Sequence, residues 1–281
     1  MRKFGYPSAS VRLLAHAAVF AVALAMVLPF GWMVVTSLKT DVEALRPPAW
    51  GDLLPSRPAW SNYSRAVREA ELGEFYTNSI VVAVVTTVLG VFHNALAGYA
   101  FARMRFLGKR ALFALVMATM MLPVQCFVIF AYIVAGRLGL TNSLPALIVP
   151  FLASGFGIYF MRQAVQAVPD SLLESGRIDG MGDFELFWTV VRPAAWPAIS
   201  ALGILTFMNS WNAFFWPLIA IDSLEKKTLP LAIADLSAGI YIQSWPVQMA
   251  AATIMTTPLV VVFVLAQRAF VRGMTAGGVK E

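Results

Sequence analysis

Charged residues are scarce in this sequence. Of its 281 residues, 13% are charged and 59% are hydrophobic, and the mean hydropathy is +0.72. Soluble domains contain about 25% charged and about 45–50% apolar residues, so the composition excludes an ordinary soluble enzyme and a disordered chain. The net charge of +6 does not indicate a nucleic-acid partner, because basic residues in so apolar a chain usually lie at the cytoplasmic rim of membrane helices.

Cysteine and histidine are also scarce. The single cysteine, Cys126, excludes a disulfide framework or a cysteine-ligated metal site within one chain. The two histidines, His16 and His93, leave few ligands for a metal. The phosphate-loop pattern G-x-x-x-x-G-K-[ST] and the hydrolase patterns G-x-S-x-G and H-E-x-x-H do not occur. We therefore expect no catalytic residue, no metal and no cofactor in this chain.

Six segments of the sequence contain no charged residue at all. All 21 basic and 15 acidic residues lie outside these segments, whose lengths run from 18 to 28 residues. A membrane-spanning helix needs about 20 apolar residues, and a bilayer offers no water to unpaired backbone groups. We predict an all-α polytopic membrane protein with six transmembrane helices, folded as a single transmembrane domain over residues 1–281. The predicted spans are residues 13–37, 79–101, 111–135, 144–161, 194–221 and 247–266.

The distribution of Lys and Arg predicts that both termini are cytoplasmic. In that orientation 13 of the 21 basic residues lie on the cytoplasmic side. The bias comes mainly from residues 1–12 and 102–110, which together hold seven basic residues and no acidic ones. The outer loop, residues 38–78, contains four prolines and is long for a plain connector. An extracytoplasmic contact surface is the other interpretation of this loop.

The six apolar segments lack the side chains that power ion-coupled transport. Ion-coupled transporters usually keep Asp, Glu or Lys within their spans, and none of these residues occurs there. The histidines at positions 16 and 93 are more typical of hydrogen bonds to a neighbouring helix than of a proton relay. With no nucleotide-binding motif either, the residues leave a channel, a facilitator, or one subunit of an assembly powered by another protein.

The fourth and fifth predicted spans are joined by the longest predicted cytoplasmic loop, residues 162–193. This loop holds five of the fifteen acidic residues. Residues 168–171 are typical of a helix start, with an Asp or Ser cap. On that helix Leu172, Leu173 and Ile178 are predicted to form one apolar stripe. Glycines then end it before a second short apolar helix, so the loop has a shape that a partner protein can grip.

Three residues of this loop match a known motif in register. The run from Glu174 to Gly180, followed by Val-Val-Arg-Pro ending at Pro193, resembles the EAA motif of ABC-importer permeases. In that family pattern a glutamate starts the motif, a glycine follows six residues later, and a proline closes it. All three positions agree with this sequence.

Two departures from the family pattern occur. Ser175 and Gly176 stand where the family has paired alanines, and Arg192 stands where it has leucine. The surrounding residues resemble the carbohydrate-uptake branch, as in the second permease subunit of maltose-type importers. Further matching runs are Ser37-Leu-Lys39-Thr, Asn62-Tyr63, Asn78-Ser79, Tyr99-Ala-Phe-Ala-Arg103, Trp211-Asn212, Trp216-Pro217 and Gly273-Met-Thr-Ala-Gly277.

The resemblance implies a permease subunit of an ATP-driven, binding-protein-dependent importer of a sugar or sugar-like solute, in a bacterial or archaeal plasma (inner) membrane. The implied partners are membrane lipid, a second permease subunit forming a heterodimer, two P-loop ATPase subunits that bind ATP and Mg, and an extracytoplasmic solute-binding protein. The loop over residues 162–193 would contain the coupling helix. From the residues alone, a self-sufficient channel or facilitator stays open as the alternative. The residues implied to couple to the ATPase are Leu173, Glu174, Ser175, Gly176, Ile178, Asp179, Gly180 and Pro193.

Polar and aromatic side chains lie together in the fifth predicted span. Asn209, Trp211, Asn212 and Phe215 suit a sugar, which presents hydroxyls at its edges and C–H groups on its faces. They are candidates for the translocation path. Helix packing through interhelical hydrogen bonds is the alternative interpretation. The prolines predicted to interrupt their helices are Pro29, Pro123, Pro197, Pro217 and Pro258.

Overall fold

Helices account for every regular element in the part of the chain that the structure describes. The structure is a computed structural model that describes residues 9–47, 53–69, 71–238 and 244–275. The predicted all-α class is therefore confirmed. The α-helices, numbered in chain order, are α1 Ala9–Ser37, α2 Asp41–Leu45, α3 Ser61–Glu69, α4 Leu72–Arg103, α5 Lys109–Met120, α6 Val128–Arg137, α7 Leu144–Ile148, α8 Gly155–Gln166, α9 Asp170–Ile178, α10 Asp183–Leu186, α11 Arg192–Ala194, α12 Trp196–Trp211, α13 Phe215–Ala220, α14 Leu229–Ser237 and α15 Trp245–Thr275. Short 3₁₀ helices cover Val124–Cys126, Val149–Phe151 and Leu224–Lys226, and a π-helix covers Phe187–Val191.

Two compact units can be distinguished by their internal contacts. The first comprises Met1–Leu72 with Asp235–Ile254, and the second comprises Gly73–Ala234 with Met255–Glu281. Each unit is described by itself below. A single domain over residues 1–281 stays a prediction.

Three helices are long and apolar enough to cross a membrane by themselves. Among the described residues these are Ser10–Ser37, Leu72–Arg103 and Trp245–Gln267, with mean hydropathies of 2.3, 2.1 and 2.2. Two bent pairs of helices also qualify. Leu144–Phe151 meets Gly155–Gln166 at 44°, and Asp183–Ala194 meets Trp196–Trp211 at 83°. The described chain thus contains three to five candidate spans by length and composition, where the sequence predicts six.

The difference lies in the third predicted span, residues 111–135. Helix α5 ends at Met120 and α6 begins at Val128, with Pro123 and a 3₁₀ turn between them. Proline has no N–H to donate, and its ring clashes with the carbonyl four residues before it. The interruption predicted at Pro123 is therefore present, and the third predicted span is not one continuous helix.

The other four prolines behave in two ways. Pro29 and Pro258 lie inside the continuous helices α1 and α15, so the predicted interruptions there are wrong. Pro197 lies in the first turn of α12, directly after the 83° bend, and Pro217 lies near the start of α13. Proline is accepted in a first turn because the N–H groups there have no helical partner.

The core of the second unit forms where α4, α8, α9 and α12 pack together. Each of these helices contributes at least one buried residue to this core, for example Tyr99, Met161, Leu173 and Leu202. Gly98 permits the close approach of α4 to α8, because a Cβ there would lie 2.6 Å from the Cβ of Met161. Small residues commonly allow such close helix contacts in membrane proteins.

Asn94 completes the backbone hydrogen bonding at the break between Val149–Phe151 and α8. Its Nδ2 donates to the carbonyls of Gly90 and Leu152, at 2.6 and 3.3 Å, and its Oδ1 accepts from the Ser154 N–H at 3.0 Å. Within a bilayer, a broken helix is tolerated only where such partners satisfy the freed groups.

In the first unit, Asn62 covers the end of α1. Its Nδ2 donates to the carbonyls of Ser37 and Lys39, both at 2.8 Å, and the Tyr63 hydroxyl lies 2.7 Å from the Ser37 Oγ. Carbonyls at a helix C-terminus need partners outside the helix. Two of the short family-like runs therefore meet in space and hold one helix end.

Candidate functional site

Helix α9 occupies the middle of the predicted coupling loop. It begins at Asp170, directly after Pro169, and its last residue is Ile178. The cap residue is Pro169, and the cap makes no side-chain hydrogen bond, so the predicted Asp or Ser cap is wrong. Gly180 ends the turn with a φ of +83°, in the left-handed region that favours glycine.

One side of α9 is exposed and partly charged. Glu174, Ser175 and Asp179 are exposed, and the exposed fraction of Ile178 is 86%. The Glu174 carboxylate makes no hydrogen bond or ion pair with any residue that the structure describes. The exposed side of α9 thus carries one large apolar side chain together with acidic and polar ones.

The opposite side of α9 packs into the core. Leu173 is 6% exposed and belongs to the cluster around Met161, whereas Leu172 is 47% exposed. The predicted single stripe of Leu172, Leu173 and Ile178 is therefore wrong, because Leu173 faces the other way. As placed, Leu173 stabilises the chain's own fold and does not present apolar surface to a partner.

Gly176 also lies on the packed side. A Cβ at this position would lie 2.6 Å from the Leu186 Cδ2 and 3.3 Å from the Met181 sulfur. The glycine that departs from the family pattern thus lets α9 lie close to α10. Its role as placed is internal packing.

Arg103 joins the end of α4 to the start of α9. Its Nη1 donates to the Asp170 carboxylate, and its Nη2 donates to the carbonyls of Val165 and Gln166, at 3.2 and 3.4 Å, and to that of Val168. These carbonyls lie at the C-terminal end of α8, where helical partners are missing. The guanidinium therefore connects three helices, and its side chain is only 17% exposed.

The second half of the loop turns into the fifth predicted span. The Tyr99 hydroxyl donates to Asp183 at 3.4 Å, and Arg177 lies 3.8 Å from the same carboxylate. The Arg192 guanidinium lies over the Trp188 ring, 4.6 Å from its centre. Pro193 is exposed and lies two residues before the 83° bend.

The four candidates for the translocation path lie in different surroundings. Trp211 is 1% exposed, and its Nε1 donates to the Met255 carbonyl at 3.0 Å. Asn212 is exposed and donates to Met208 of its own helix. Phe215 is 42% exposed. Of the four, only Asn209 lines the cavity described next.

A cavity of about 220 Å³ lies within the second unit. None of the described residues that line it is charged. Ser154, Thr206 and Ser210 supply hydroxyls, and Phe151 and Trp216 supply aromatic rings. Isolated Ser and Thr in apolar segments form no spacing pattern, so the sequence alone does not indicate that these hydroxyls line a cavity.

Thr86 and Thr228 also line this cavity and differ from its other polar residues. They are 2% and 5% exposed, and neither hydroxyl makes a hydrogen bond with a described residue. Buried polar groups are normally hydrogen-bonded.

A chain with several helices long and apolar enough to cross a membrane is a polytopic membrane protein. Residues 94–276 match the family described as binding-protein-dependent transport system inner membrane component, and this chain belongs to that family. The resemblance to ABC-importer permeases is thus confirmed, as is the inner-membrane location. The self-sufficient channel is not favoured.

Two relatives similar to this chain are permease proteins of sugar transport systems. The chain is 32% identical to the arabinooligosaccharides transport system permease protein AraQ of Bacillus subtilis (strain 168), over 92% of each chain. It is 30% identical to the lactose transport system permease protein LacG of Rhizobium radiobacter, again over 92% of each. A chain of a bacterial ABC transporter involved in the import of the acidic polysaccharide alginate has the same fold. That chain has a TM-score of 0.82 and 22% identity, with 95% of this chain and 99% of that chain covered.

Proposed function

We propose that this chain is a transmembrane subunit of an ATP-driven importer for neutral sugars or short oligosaccharides. Family membership establishes the permease class, and the named relatives serve arabinooligosaccharides and lactose. The observation that carries the sugar class is the uncharged cavity, whose described lining combines hydroxyl, amide and aromatic side chains. Such a lining matches the hydroxyl edges and C–H faces of a sugar.

The topology that we propose has six spans with both termini in the cytoplasm. The broken segment at Pro123 would cross the membrane as two consecutive helices, α5 and α6. The described residues of the loop 102–110, including four basic ones, would then lie on the cytoplasmic side together with α9.

The partners we propose are a second permease subunit forming a heterodimer, two P-loop ATPase subunits and an extracytoplasmic solute-binding protein. ATP and Mg would be held by the ATPase subunits, and the hydrolysis would power transport. The support is family membership, because a binding-protein-dependent component presupposes a solute-binding protein.

We propose that α9 is the coupling helix. Ile178 would bury its exposed side chain against the ATPase, and Glu174 would accept hydrogen bonds from basic or amide donors there. Ser175 and Asp179 share the exposed side, while Gly180 supplies the turn. Movement of α9 would reach α4 through Arg103.

Copurification and uptake test this assignment together. Glu174→Lys is expected to abolish binding of the P-loop ATPase subunit and sugar uptake, because it places a cation where an anion meets basic donors. Glu185→Lys is the matched control, since Glu185 is an exposed acid of the same loop outside α9. Equal ATPase recovery and equal uptake for both variants would sink the coupling assignment.

Uptake by the assembled complex tests the solute class. Membranes containing the full transporter are expected to take up at least one of arabinobiose, lactose and diacetylchitobiose in an ATP-dependent manner. The third sugar is named for a further relative, the diacetylchitobiose uptake system permease protein NgcG of Streptomyces coelicolor (strain ATCC BAA-471 / A3(2) / M145), which is 27% identical over 94% of this chain and 87% of that protein. The control is the same complex without the solute-binding protein, which should take up none. Uptake of charged solutes only would contradict the proposal.

A further inference from the structure

Two unpaired hydroxyls border the cavity of the second unit. Thr86 lies in α4, and Thr228 directly precedes α14. Each residue is more than nine-tenths buried, and each hydroxyl lacks a hydrogen-bond partner among the described residues. These two residues, far apart in sequence, therefore bring unused donors and acceptors to one space.

The neighbour of Thr86 shows what a threonine in this helix usually does. The Thr87 hydroxyl donates to the Ala83 carbonyl, four residues earlier, at 2.6 Å. Such a bond satisfies a hydroxyl in an apolar helix without any outside partner. The Thr86 hydroxyl makes no such bond. A buried hydroxyl left unpaired is unfavourable, and a polar ligand in the cavity would remove that penalty.

The rest of the lining fits a neutral hydroxylated ring. Asn209 and Ser210 supply an amide and a hydroxyl from the end of α12. The Nε1 of Trp216 is already engaged, because it donates to the Ala146 carbonyl at 2.9 Å. Trp216 thus has only ring surface to offer, which suits the C–H face of a sugar.

We propose that this cavity is a sugar-binding site within this subunit, with Thr86 and Thr228 as its hydrogen-bonding residues. The inference rests on the proposed sugar-importer function and assigns the contacts to this chain itself. The volume lies below the range of about 300–1,000 Å³ of drug-sized sites. One ring of the transported sugar would therefore enter at a time.

Valine substitutions test the two hydroxyls. Thr86→Val and Thr228→Val keep the branched shape of the side chain and replace the hydroxyl, which has no described partner to lose, with a methyl group. Each is expected to raise the KM for sugar uptake by about three- to tenfold, the loss of one hydrogen bond. The melting temperature of each variant complex should not fall, because no bond within the fold is broken.

Two further variants distinguish the loss of the Thr86 hydroxyl from a general change in the fold. Thr86→Ser retains the hydroxyl and should keep a KM close to that of the unchanged protein. Thr87→Val is the matched control, because Thr87 does not line the cavity, and its KM should not change. The panel of arabinobiose, lactose and diacetylchitobiose supplies the probe.

The outcomes distinguish this inference from the proposed function. If the unchanged complex takes up none of the three sugars, the sugar-importer function fails and the site fails with it. If uptake is normal and both valine variants keep the original KM, the importer function stands and the cavity is not a sugar site. Raised KM values in both valine variants, with normal values for Thr86→Ser and Thr87→Val, support the site.

Discussion

Two glycines of α4 illustrate how single residues set the helix packing. A Cβ on Gly98 would lie 2.6 Å from the Met161 Cβ and 2.8 Å from the Arg162 backbone nitrogen. A Cβ on Gly90 would meet its nearest atom, the Leu152 carbonyl oxygen, at 3.6 Å, an ordinary contact. The same substitution is therefore expected to have different effects eight residues apart.

Gly98→Ala is expected to lower the free energy of unfolding by about 1–3 kcal/mol, because backbone atoms of α8 must move away. Gly90→Ala should have little effect or stabilise the protein slightly, because alanine favours helix by about 1 kcal/mol. Unfolding of both purified variants in the same detergent provides the measurement. Equal stabilities would show that α4 and α8 do not approach closely at Gly98.

Glu43 illustrates the electrostatics of a helix start. Its carboxylate accepts from the Thr40 and Ser56 backbone N–H groups, at 2.9 and 3.1 Å. The hydrogen bonds from Thr40 and then Ser56 lower the pKa of Glu43 to about 2. The ordinary pKa of a glutamate is about 4.3. Because the folded pKa is depressed, the contribution to stability is present above that value and is lost as the pH falls toward 2.

The difference in melting temperature between the unchanged protein and Glu43→Gln is therefore expected to stay constant from pH 7 to about pH 5. It should shrink as the pH falls from about 4.3 toward 2. Asp41→Asn in the same helix serves as a comparison. A difference that grows on acidification would have the wrong sign and contradict the capping role.

At the scale of elements, Arg103 links the end of α4 to the start of α9 through its hydrogen bonds. Three carbonyls and one carboxylate accept from a single guanidinium. A lysine cannot replace this geometry, because an ammonium presents its donors from one point. If α9 is the coupling helix, as proposed, this connection would transmit its movement to α4.

Arg103→Lys is expected to reduce sugar uptake by about tenfold or more while the ATPase subunits still copurify, because α9 keeps its exposed side. ATP hydrolysis should then continue with little transport. Arg105→Lys is the matched control, since Arg105 is exposed near the same helix end. Normal uptake by Arg103→Lys would show that the link does not carry the movement.

The sequence allowed some elements to be predicted better than others. The end of α9 followed from Gly180, which takes up a left-handed conformation, whereas its start was predicted in the right segment but with the wrong cap residue. The direction of Leu173 could not be predicted, since its burial depends on Met161, twelve residues away in sequence. Pro123 lies at a break between two helices, whereas Pro258 lies inside an unbroken helix. A proline in an apolar segment therefore does not by itself predict an interruption.

The candidate residues could likewise be predicted only where a local sequence pattern indicates them. Charge and glycine spacing pointed to Glu174 and Gly180 within one segment. Thr86 and Thr228 come together only through folding, because 141 positions separate them along the chain. Local patterns cannot reveal such a pair.

At the scale of the whole molecule, we propose that transport is shared between this chain and its partner subunits. Charge is absent from the six apolar segments, and the chain belongs to the binding-protein-dependent transport family, so we propose that the driving force enters from a partner. The exposed side of α9 is where we propose that it enters. Family membership establishes the permease role. The central claim still to be tested is the proposed contact between α9 and the ATPase subunit.

Site-specific cross-linking tests that contact most directly. In a Cys126→Ser background, Ile178→Cys in the complete transporter is expected to form a short cross-link to the P-loop ATPase subunit. Arg57→Cys, in the predicted outer loop, should form none. Cross-linking of the ATPase at position 57, or its absence at position 178 in an active complex, would contradict the account.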